Sequence, residues 1–203
     1  MADWIFGIVD RLGSLGVGLL ILLENLIPPI PSEVVLPLAG FRASTGALNV
    51  FAVWSAATVG AVAGALLLYG LGAWLGYDRL YRLAGHRWFI VASQNDIDRG
   101  HQLFERHGGK VVLLARCVPF LRSVVSIPAG VLGMPVLRFT VLTAIGSGVW
   151  NAVFIALGWW LGERWDQVGS WLGPVSLVVV GLVVVGLVVL IVRRLRDRSA
   201  AAQ

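Results

Sequence analysis

Four charged side chains lie in otherwise apolar parts of the chain and are its strongest candidates for chemistry. Glu24 and Glu33 flank a proline-rich run, and Arg116 and Arg122 flank Pro119. A charged side chain in hydrocarbon costs roughly 2.5–3.5 kcal/mol on insertion scales. Irregular backbone in an apolar setting is tolerated only where it is buried in protein or lines a cavity. We therefore expect these four side chains to meet at a buried functional centre.

The chemistry of this centre has two interpretations. In the functional one, the arginines bind an anion, because a guanidinium is a planar fork that grips phosphate and stays charged. The anion would weaken the pull of the arginine on a carboxylate, which could then take up a proton. Ser32 and Ser123 are favoured helix-capping residues, so we expect helices to restart there and to present free N–H groups to phosphate. The alternative is a pair of structural ion pairs that hold the chain together.

The composition indicates an integral membrane protein. Of the 203 residues, 58% are hydrophobic and 13% are charged, and the mean hydropathy is +0.84; a soluble domain is nearer a quarter charged. The net charge of +5 accompanies apolar segments, where basic residues set topology and contact anionic lipids, so we expect no nucleic-acid partner. The lone Cys117 excludes an internal disulfide. Several tryptophans at segment ends suit an interfacial belt, namely Trp74, Trp150, Trp165 and Trp171.

The order of apolar and charged segments predicts an all-α polytopic protein with a single membrane domain and no cleaved signal peptide. Short apolar runs broken by proline are interpreted as re-entrant hairpins, and long uncharged runs as transmembrane helices. Within the soluble-looking segment, Ser93 is expected to start a helix and Gly108-Gly109 to end it. The predicted segments are an interfacial helix (1–12), a first re-entrant hairpin (13–45), a transmembrane helix (51–76), an amphipathic cytoplasmic segment (77–110), a second re-entrant hairpin (111–134), two further transmembrane helices (137–162 and 171–192) and a basic tail (193–203).

The basic residues predict the topology, because cytoplasmic loops carry an excess of lysine and arginine. Segment 77–110 and the C-terminal tail are then cytoplasmic, in a bacterial inner membrane. The first hairpin enters from outside and the second from the cytoplasm.

Two features recur in the same order in both halves of the chain. Residues 34–40 (VVLPLAG) resemble residues 124–130 (VVSIPAG), and residues 71–76 (LGAWLG) resemble residues 157–162 (LGWWLG). Each half is then a hairpin plus a span, and the halves have opposite orientation, as in transporters with inverted repeats. The repeat places Glu24 opposite Arg116 in one half-hairpin, and Glu33 opposite Arg122 in the other. An extra C-terminal transmembrane helix follows the repeat.

The same residues resemble the DedA family, the bacterial branch of the SNARE-associated (VTT-domain) membrane proteins. The resemblance spans about residues 20 to 162. It rests on Glu24 and Pro31-Ser32-Glu33, on Pro37, Ala39 and Gly40, on Phe104, His107 and Gly108, and on Arg116, Pro119 and Arg122 followed by Pro128-Ala129-Gly130 and Phe139.

The resemblance implies two re-entrant hairpins, shaped by Pro31, Pro37, Gly40, Pro119, Pro128 and Gly130. It also implies translocation of a lipid phosphate or scrambling of phospholipids, with dependence on the proton gradient in some members. Substrate-binding positions then match Arg116 and Arg122, and proton-coupling positions match Glu24 and Glu33.

Four functions were weighed. The first is a flippase for undecaprenyl or decaprenyl phosphate, an anionic lipid partner; the second is a phospholipid scramblase or a proton-coupled small-solute transporter. A membrane-embedded hydrolase would need a nucleophile with a base or a metal centre, and a purely structural scaffold would not need charges at membrane depth. His101, Glu105 and His107 have the spacing of a solvated helix end, so we expect no metal, no cofactor and no enzymatic activity. Homo-oligomerisation stays open.

Overall fold

The computed structural model describes residues 3–26, 32–84, 94–118 and 121–162, and every regular element in these ranges is an α-helix. The predicted all-α fold is therefore confirmed for this part of the chain. The predicted span 171–192 and the tail 193–203 lie outside the described residues. The helices are α1 (Asp3–Leu26), α2 (Ser32–Ser44), α3 (Val50–Ala84), α4 (Gln94–Ala115), α5 (Leu121–Val124), α6 (Ser126–Val131) and α7 (Val136–Leu161).

Two glycines with positive φ divide the long helices close to boundaries expected from the sequence. Gly13 (φ 59°) breaks α1 directly after residue 12, and Gly76 (φ 68°) breaks α3 at the predicted end of the first span. Glycine adopts these angles without the steric cost that a β-carbon brings. Beyond Gly76 the helix resumes to Ala84, so the chain continues as helix into the charged segment.

Helix α4 is interrupted beside Gly108-Gly109, where the sequence predicts a helix end. The backbone leaves helical angles at His107 (φ −136°, ψ 15°), and a further helical segment runs to Ala115. Val112 of this second segment is fully buried in the core. The missing side chain of Gly109 leaves room for Arg138 of α7, whose Nη2 atom would lie 2.8 Å from a β-carbon there.

Helices α3 and α7 are long and apolar enough to cross a membrane by length and composition (residues 50–82 and 136–161). The outer face of α7 is a stripe of half-exposed aliphatic side chains four residues apart, made of Val141, Ile145, Val149, Val153 and Leu157. The interior, by contrast, contains two arginines and two asparagines at 4% exposure or less: Asn25, Arg116, Arg122 and Asn151. Polar residues inside and apolar residues outside suit a hydrocarbon environment.

The two broken helices pack across the molecule, since α2 lies on α7 and α6 lies on α3. Glycines allow these contacts. A β-carbon on Gly40 would collide with the carbonyl of Ile155, and one on Gly130 would collide with the carbonyl of Tyr69. Glycines on α7 and α3 make the same kind of contact from the other side. A β-carbon on Gly158 would collide with the Pro37 carbonyl, and one on Gly72 would collide with the Ile127 carbonyl.

Helix α1 packs along α3, and Gly60 and Gly64 bring their backbones together as their small-xxx-small spacing predicts. A β-carbon on Gly60 would collide with the Gly18 carbonyl, and one on Gly64 would lie 2.8 Å from the Asn25 side chain. This contact fixes the C-terminal end of α1, where Glu24 and Asn25 lie, against the middle of α3.

Candidate functional site: a buried arginine pair

Arg122 forms an ion pair with Glu24. The pair joins α5 to the C-terminal turn of α1, and the guanidinium Nη2 donates to Glu24 Oε2. The two side chains are 3% and 11% exposed, so the pair is almost fully desolvated. Arg122 Cζ also lies 6.0 Å from the centre of the Trp150 ring. A buried pair of this kind leaves an uncompensated charge if either partner is removed.

Arg116 is as deeply buried but has a different set of partners. It follows α4 directly, is 1% exposed, and donates from Nη2 to the hydroxyl of Ser126 at 2.9 Å. Its Cζ atom lies 5.6 Å from the centre of the Phe139 ring. Its Nε atom is buried without an acceptor, and no carboxylate of the described residues pairs with it. Arg116 is therefore a buried cation held by a hydroxyl and an aromatic face.

The ion pairing differs from the correspondence that the internal repeat suggests. The repeat sets Glu24 opposite Arg116 and Glu33 opposite Arg122, whereas the structure pairs Glu24 with Arg122. Glu33 lies half-buried in the first turn of α2 and forms no ion pair with a described residue.

Ser32 and Ser123, both predicted to begin a helix, differ in where they lie in their helices. Ser32 begins α2 as predicted, is fully buried, and its hydroxyl has no hydrogen-bond partner. Ser123 lies inside α5, so its prediction as the residue that restarts the helix is wrong. The short α5 begins at Leu121, and the next helix begins at Ser126 after a turn at Val125. The Ser123 hydroxyl instead donates to Asn25 Oδ1 at 3.3 Å.

Of the six residues predicted to shape the hairpins, four lie in helices that the structure describes and two lie outside the described residues. Gly40 and Gly130 make the close backbone contacts given above. Pro37 lies inside α2 and Pro128 inside α6, where the Pro128 carbonyl accepts from the N–H of Leu132 at 2.9 Å. Pro31 and Pro119, predicted to shape the two hairpin tips, lie outside the described residues.

Three neighbours of the arginines were not singled out as site residues from the sequence: Asn25, Ser126 and Trp150. Asn25 follows Glu24 directly, and its amide also donates to the Ile21 carbonyl at 3.0 Å. Ser126 is the one polar residue in the VVSIPAG motif, a signal that sequence reasoning had available. Trp150, predicted for the interfacial belt, instead lies in the middle of α7 beside Arg122, and its ring centre is 4.7 Å from that of Phe154.

Two histidines of the amphipathic segment, His101 and His107, are described, and neither forms a hydrogen bond or ion pair with the two arginines within the described ranges. His101 Nε2 is 3.4 Å from Glu105, and both side chains are exposed. The His101 ring also lies 5.2 Å from that of Tyr77, whose hydroxyl donates to Asp98 at 2.7 Å. Within the described ranges, no group of three or more histidine, cysteine or acidic residues is arranged to hold a metal ion.

Comparison with known proteins identifies the family. The model of the VTT domain matches residues 18–160. An "Alkaline phosphatase-like protein" of Lactococcus lactis is 37% identical over 89% of this chain and 85% of its own length. "Undecaprenyl phosphate transporter A" of Staphylococcus aureus is 33% identical over 84% and 85%, and "Protein DedA" of Escherichia coli is 27% identical over 98% and 86%. No solved structure matches. The chain therefore belongs to the VTT-domain (DedA) family of membrane proteins.

Proposed function

We propose that this protein is a transporter that flips a polyprenyl phosphate carrier lipid, undecaprenyl or decaprenyl phosphate, across the bacterial cytoplasmic membrane. Arg116 carries the proposal. It is a buried guanidinium with no carboxylate partner among the described residues and with one N–H that lacks an acceptor. An uncompensated buried charge costs several kcal/mol, and a phosphate oxygen at this position would remove that cost. Two relatives, at 33% and 30% identity, bear the name "Undecaprenyl phosphate transporter A".

Arg122 and Glu24 supply a route to proton coupling. Together with Arg116 they carry one net positive charge when Glu24 is ionised. A phosphate monoester carries about −1.5 to −2 at neutral pH. Arg122 Nη2 is occupied by Glu24, and a phosphate that takes over this N–H releases the carboxylate. A proton on Glu24 then prevents an unpaired buried anion. Phosphate binding and proton uptake at Glu24 are therefore linked, and the nearby Glu33 is a second carboxylate that can accept a proton.

The crossed helix packing supports an inverted repeat of two re-entrant hairpins. Residues 40 and 130 correspond in the repeat, and so do residues 69 and 155. The contact of Gly40 with Ile155 therefore has the contact of Gly130 with Tyr69 as its counterpart. An approximate two-fold axis that exchanges the halves produces such a pattern. In transporters built this way, broken helices meet near the membrane midplane and hold the substrate.

The proposed topology keeps segment 77–110 and the C-terminus in the cytoplasm. Hairpin 13–45 then enters from outside and hairpin 111–134 from the cytoplasm, so that Glu24 and the arginines approach from opposite faces. The ion pair between Glu24 and Arg122 supports this arrangement, because it joins residues that belong to the two different hairpins.

A reconstituted flipping assay tests the function. Liposomes containing the purified full chain receive a fluorescent short-chain polyprenyl phosphate, its uncharged alcohol, or a fluorescent glycerophospholipid in one leaflet. We expect faster translocation of the polyprenyl phosphate alone, stimulated by a pH gradient. Equal stimulation of the glycerophospholipid would favour the scramblase, and equal rates for phosphate and alcohol would overturn the phosphate site.

The name of the Lactococcus relative makes a phosphatase the second candidate. Release of inorganic phosphate from the same liposomes measures this activity directly. We expect release at the rate of protein-free liposomes, with and without added divalent metal. Release that depends on the protein and is abolished by Arg116→Ala would replace transport by hydrolysis as the function of the centre.

A further inference from the structure

Helix α7 carries three buried side-chain atoms that have no hydrogen-bond partner among the described residues, and two of them belong to groups that can donate. The indole Nε1 of Trp150 and the hydroxyl of Thr143 are both shielded from solvent and unbonded, and Thr143 is 0% exposed. An indole N–H can only donate, and buried tryptophan N–H groups normally have an acceptor. Each group therefore marks a place where an acceptor is missing.

Both groups lie on the face of α7 that meets the arginines. Thr143, Gly146 and Trp150 are spaced at i, i+3 and i+7, which places them on one side of a helix. The middle position faces Arg116, since a β-carbon on Gly146 would lie 2.6 Å from Arg116 Cβ. The last position lies beside Arg122, whose Cζ is 6.0 Å from the Trp150 ring.

The buried groups that lack partners beside the arginines would be satisfied by hydrogen-bond acceptors. Arg116 Nε and Trp150 Nε1 can only donate, and the Thr143 hydroxyl can donate as well as accept. A ligand that satisfies all three groups must present several acceptor oxygens. The buried acceptor without a partner, Asn151 Oδ1, belongs to an amide that is directed to another helix, where it donates to Thr58 of α3 at 3.2 Å.

We propose that Trp150 and Thr143 donate hydrogen bonds to the phosphate that Arg116 holds. This inference rests on the proposed function and adds α7 to the binding site. The arginines provide positive charge, and the two neutral donors orient the phosphate oxygens by hydrogen bonds. These donors favour an oxyanion over a hydroxyl headgroup without burying another charged side chain. The substrate would then connect the second hairpin to the span that follows it.

The first test replaces Trp150 by phenylalanine, which keeps an aromatic ring beside Arg122 and removes the N–H. Binding of a short-chain polyprenyl phosphate and of its alcohol is measured on the full chain in nanodiscs. We expect Trp150→Phe to weaken binding of the phosphate by about tenfold or more, the size of a hydrogen bond to a charged group, and to leave binding of the alcohol unchanged. The matched control is Trp54→Phe, because Trp54 Nε1 donates to the Gly148 carbonyl at 2.9 Å. It should keep the affinity for phosphate.

The second test replaces Thr143 by valine and remains decisive if the tryptophan variant does not accumulate in the membrane. We expect Thr143→Val to lower phosphate affinity with no effect on the alcohol. Thr140→Val is the control, since the Thr140 hydroxyl is occupied by the Val136 carbonyl at 2.8 Å.

The outcomes separate the two proposals. Wild type that binds phosphate and alcohol equally overturns the proposed function. Wild type that prefers phosphate, with both α7 variants retaining that preference in full, overturns only the role of α7. In the wild-type protein, the indole N–H resonance that Trp150→Phe removes should shift on addition of the phosphate and stay in place with the alcohol. A resonance that does not move with phosphate contradicts the proposal.

Discussion

Glu24→Gln should strengthen phosphate binding while it abolishes transport. The substitution keeps the size of the side chain and removes the charge that occupies Arg122. In the wild type, Glu24 occupies Nη2 of this guanidinium and competes with phosphate for it. In the variant the guanidinium is available, because a neutral amide binds it more weakly than a carboxylate does.

The burial of the Glu24–Arg122 pair determines the size of the expected gain in phosphate affinity. Arg122 is 3% and Glu24 11% exposed, so solvent screens their interaction little. A hydrogen bond to a charged group contributes about 1.5–3 kcal/mol, and removing the competitor should therefore raise phosphate affinity roughly 10- to 150-fold. Without ligand, the orphaned Arg122 should lower the stability of the variant by up to about 3–5 kcal/mol. Added phosphate ligand should restore part of that loss.

The assay measures binding of a short-chain polyprenyl phosphate at pH 6 and pH 8, with thermal unfolding in parallel. Wild-type affinity relative to that of the variant should rise as the pH falls, because a proton on Glu24 releases Arg122. The phosphate ligand also gains a proton near pH 6, and the comparison with the variant removes this contribution because it acts on both proteins. The other charged groups acting on Glu24 are Arg116 and Glu33, and both are retained. Asp10→Asn is the control, since it breaks an exposed pair with Arg42 (2.6 Å, 48% and 34% exposed) and should leave phosphate binding unchanged. Weaker binding by Glu24→Gln at both pH values would refute the reasoning.

Three further predictions concern the contact of Arg116 with phosphate, the packing of α6 on α3 and the membrane topology. Arg116→Lys should weaken phosphate binding tenfold or more, because lysine keeps the charge but loses the planar fork; an unchanged affinity in the binding assay would exclude a guanidinium-specific contact. Gly130→Ala should lower the melting temperature strongly by collision with the Tyr69 carbonyl, whereas Gly70→Ala, with open space around it, should be mild; equal shifts would contradict the close α3–α6 contact. Cysteines introduced at Ser44 and Gln94 should label from opposite sides of the membrane, and labelling from the same side would contradict the inverted arrangement.

The helical elements could be predicted because apolar runs and glycine or proline breaks are local properties. The spans 51–76 and 137–162 correspond to α3 and α7, and the break after residue 12 is the positive φ of Gly13. The break of α4 beside Gly108-Gly109 is a local property too, since the backbone leaves helical angles at His107. The glycines do not show that a helix resumes beyond them and carries the buried Val112.

The structure buries Arg116 and the Glu24–Arg122 pair, whereas Glu33 is half-buried and forms no ion pair with a described residue, and this pairing could not be predicted. A charge in an apolar run is visible in the sequence, whereas its partner depends on which helices cross. The fold brings Arg122 of α5, rather than Arg116, to Glu24 of α1. The contact of Trp150 with Arg122 is equally invisible in the sequence, because it depends on which helices meet.

The crossed packing of the broken helices has a consequence for synthesis of the protein at the ribosome. Helix α2 ends at Ser44, but its partner α7 is complete only at Leu161. At 5–20 residues per second, the glycine-lined face of α2 waits roughly 6 to 23 seconds for the helix that covers it. Helix α6 has no such delay, since α3 precedes it. Helix α2 is therefore synthesised well before the helix that it packs on, whereas α6 is synthesised after α3 and can pack on it at once.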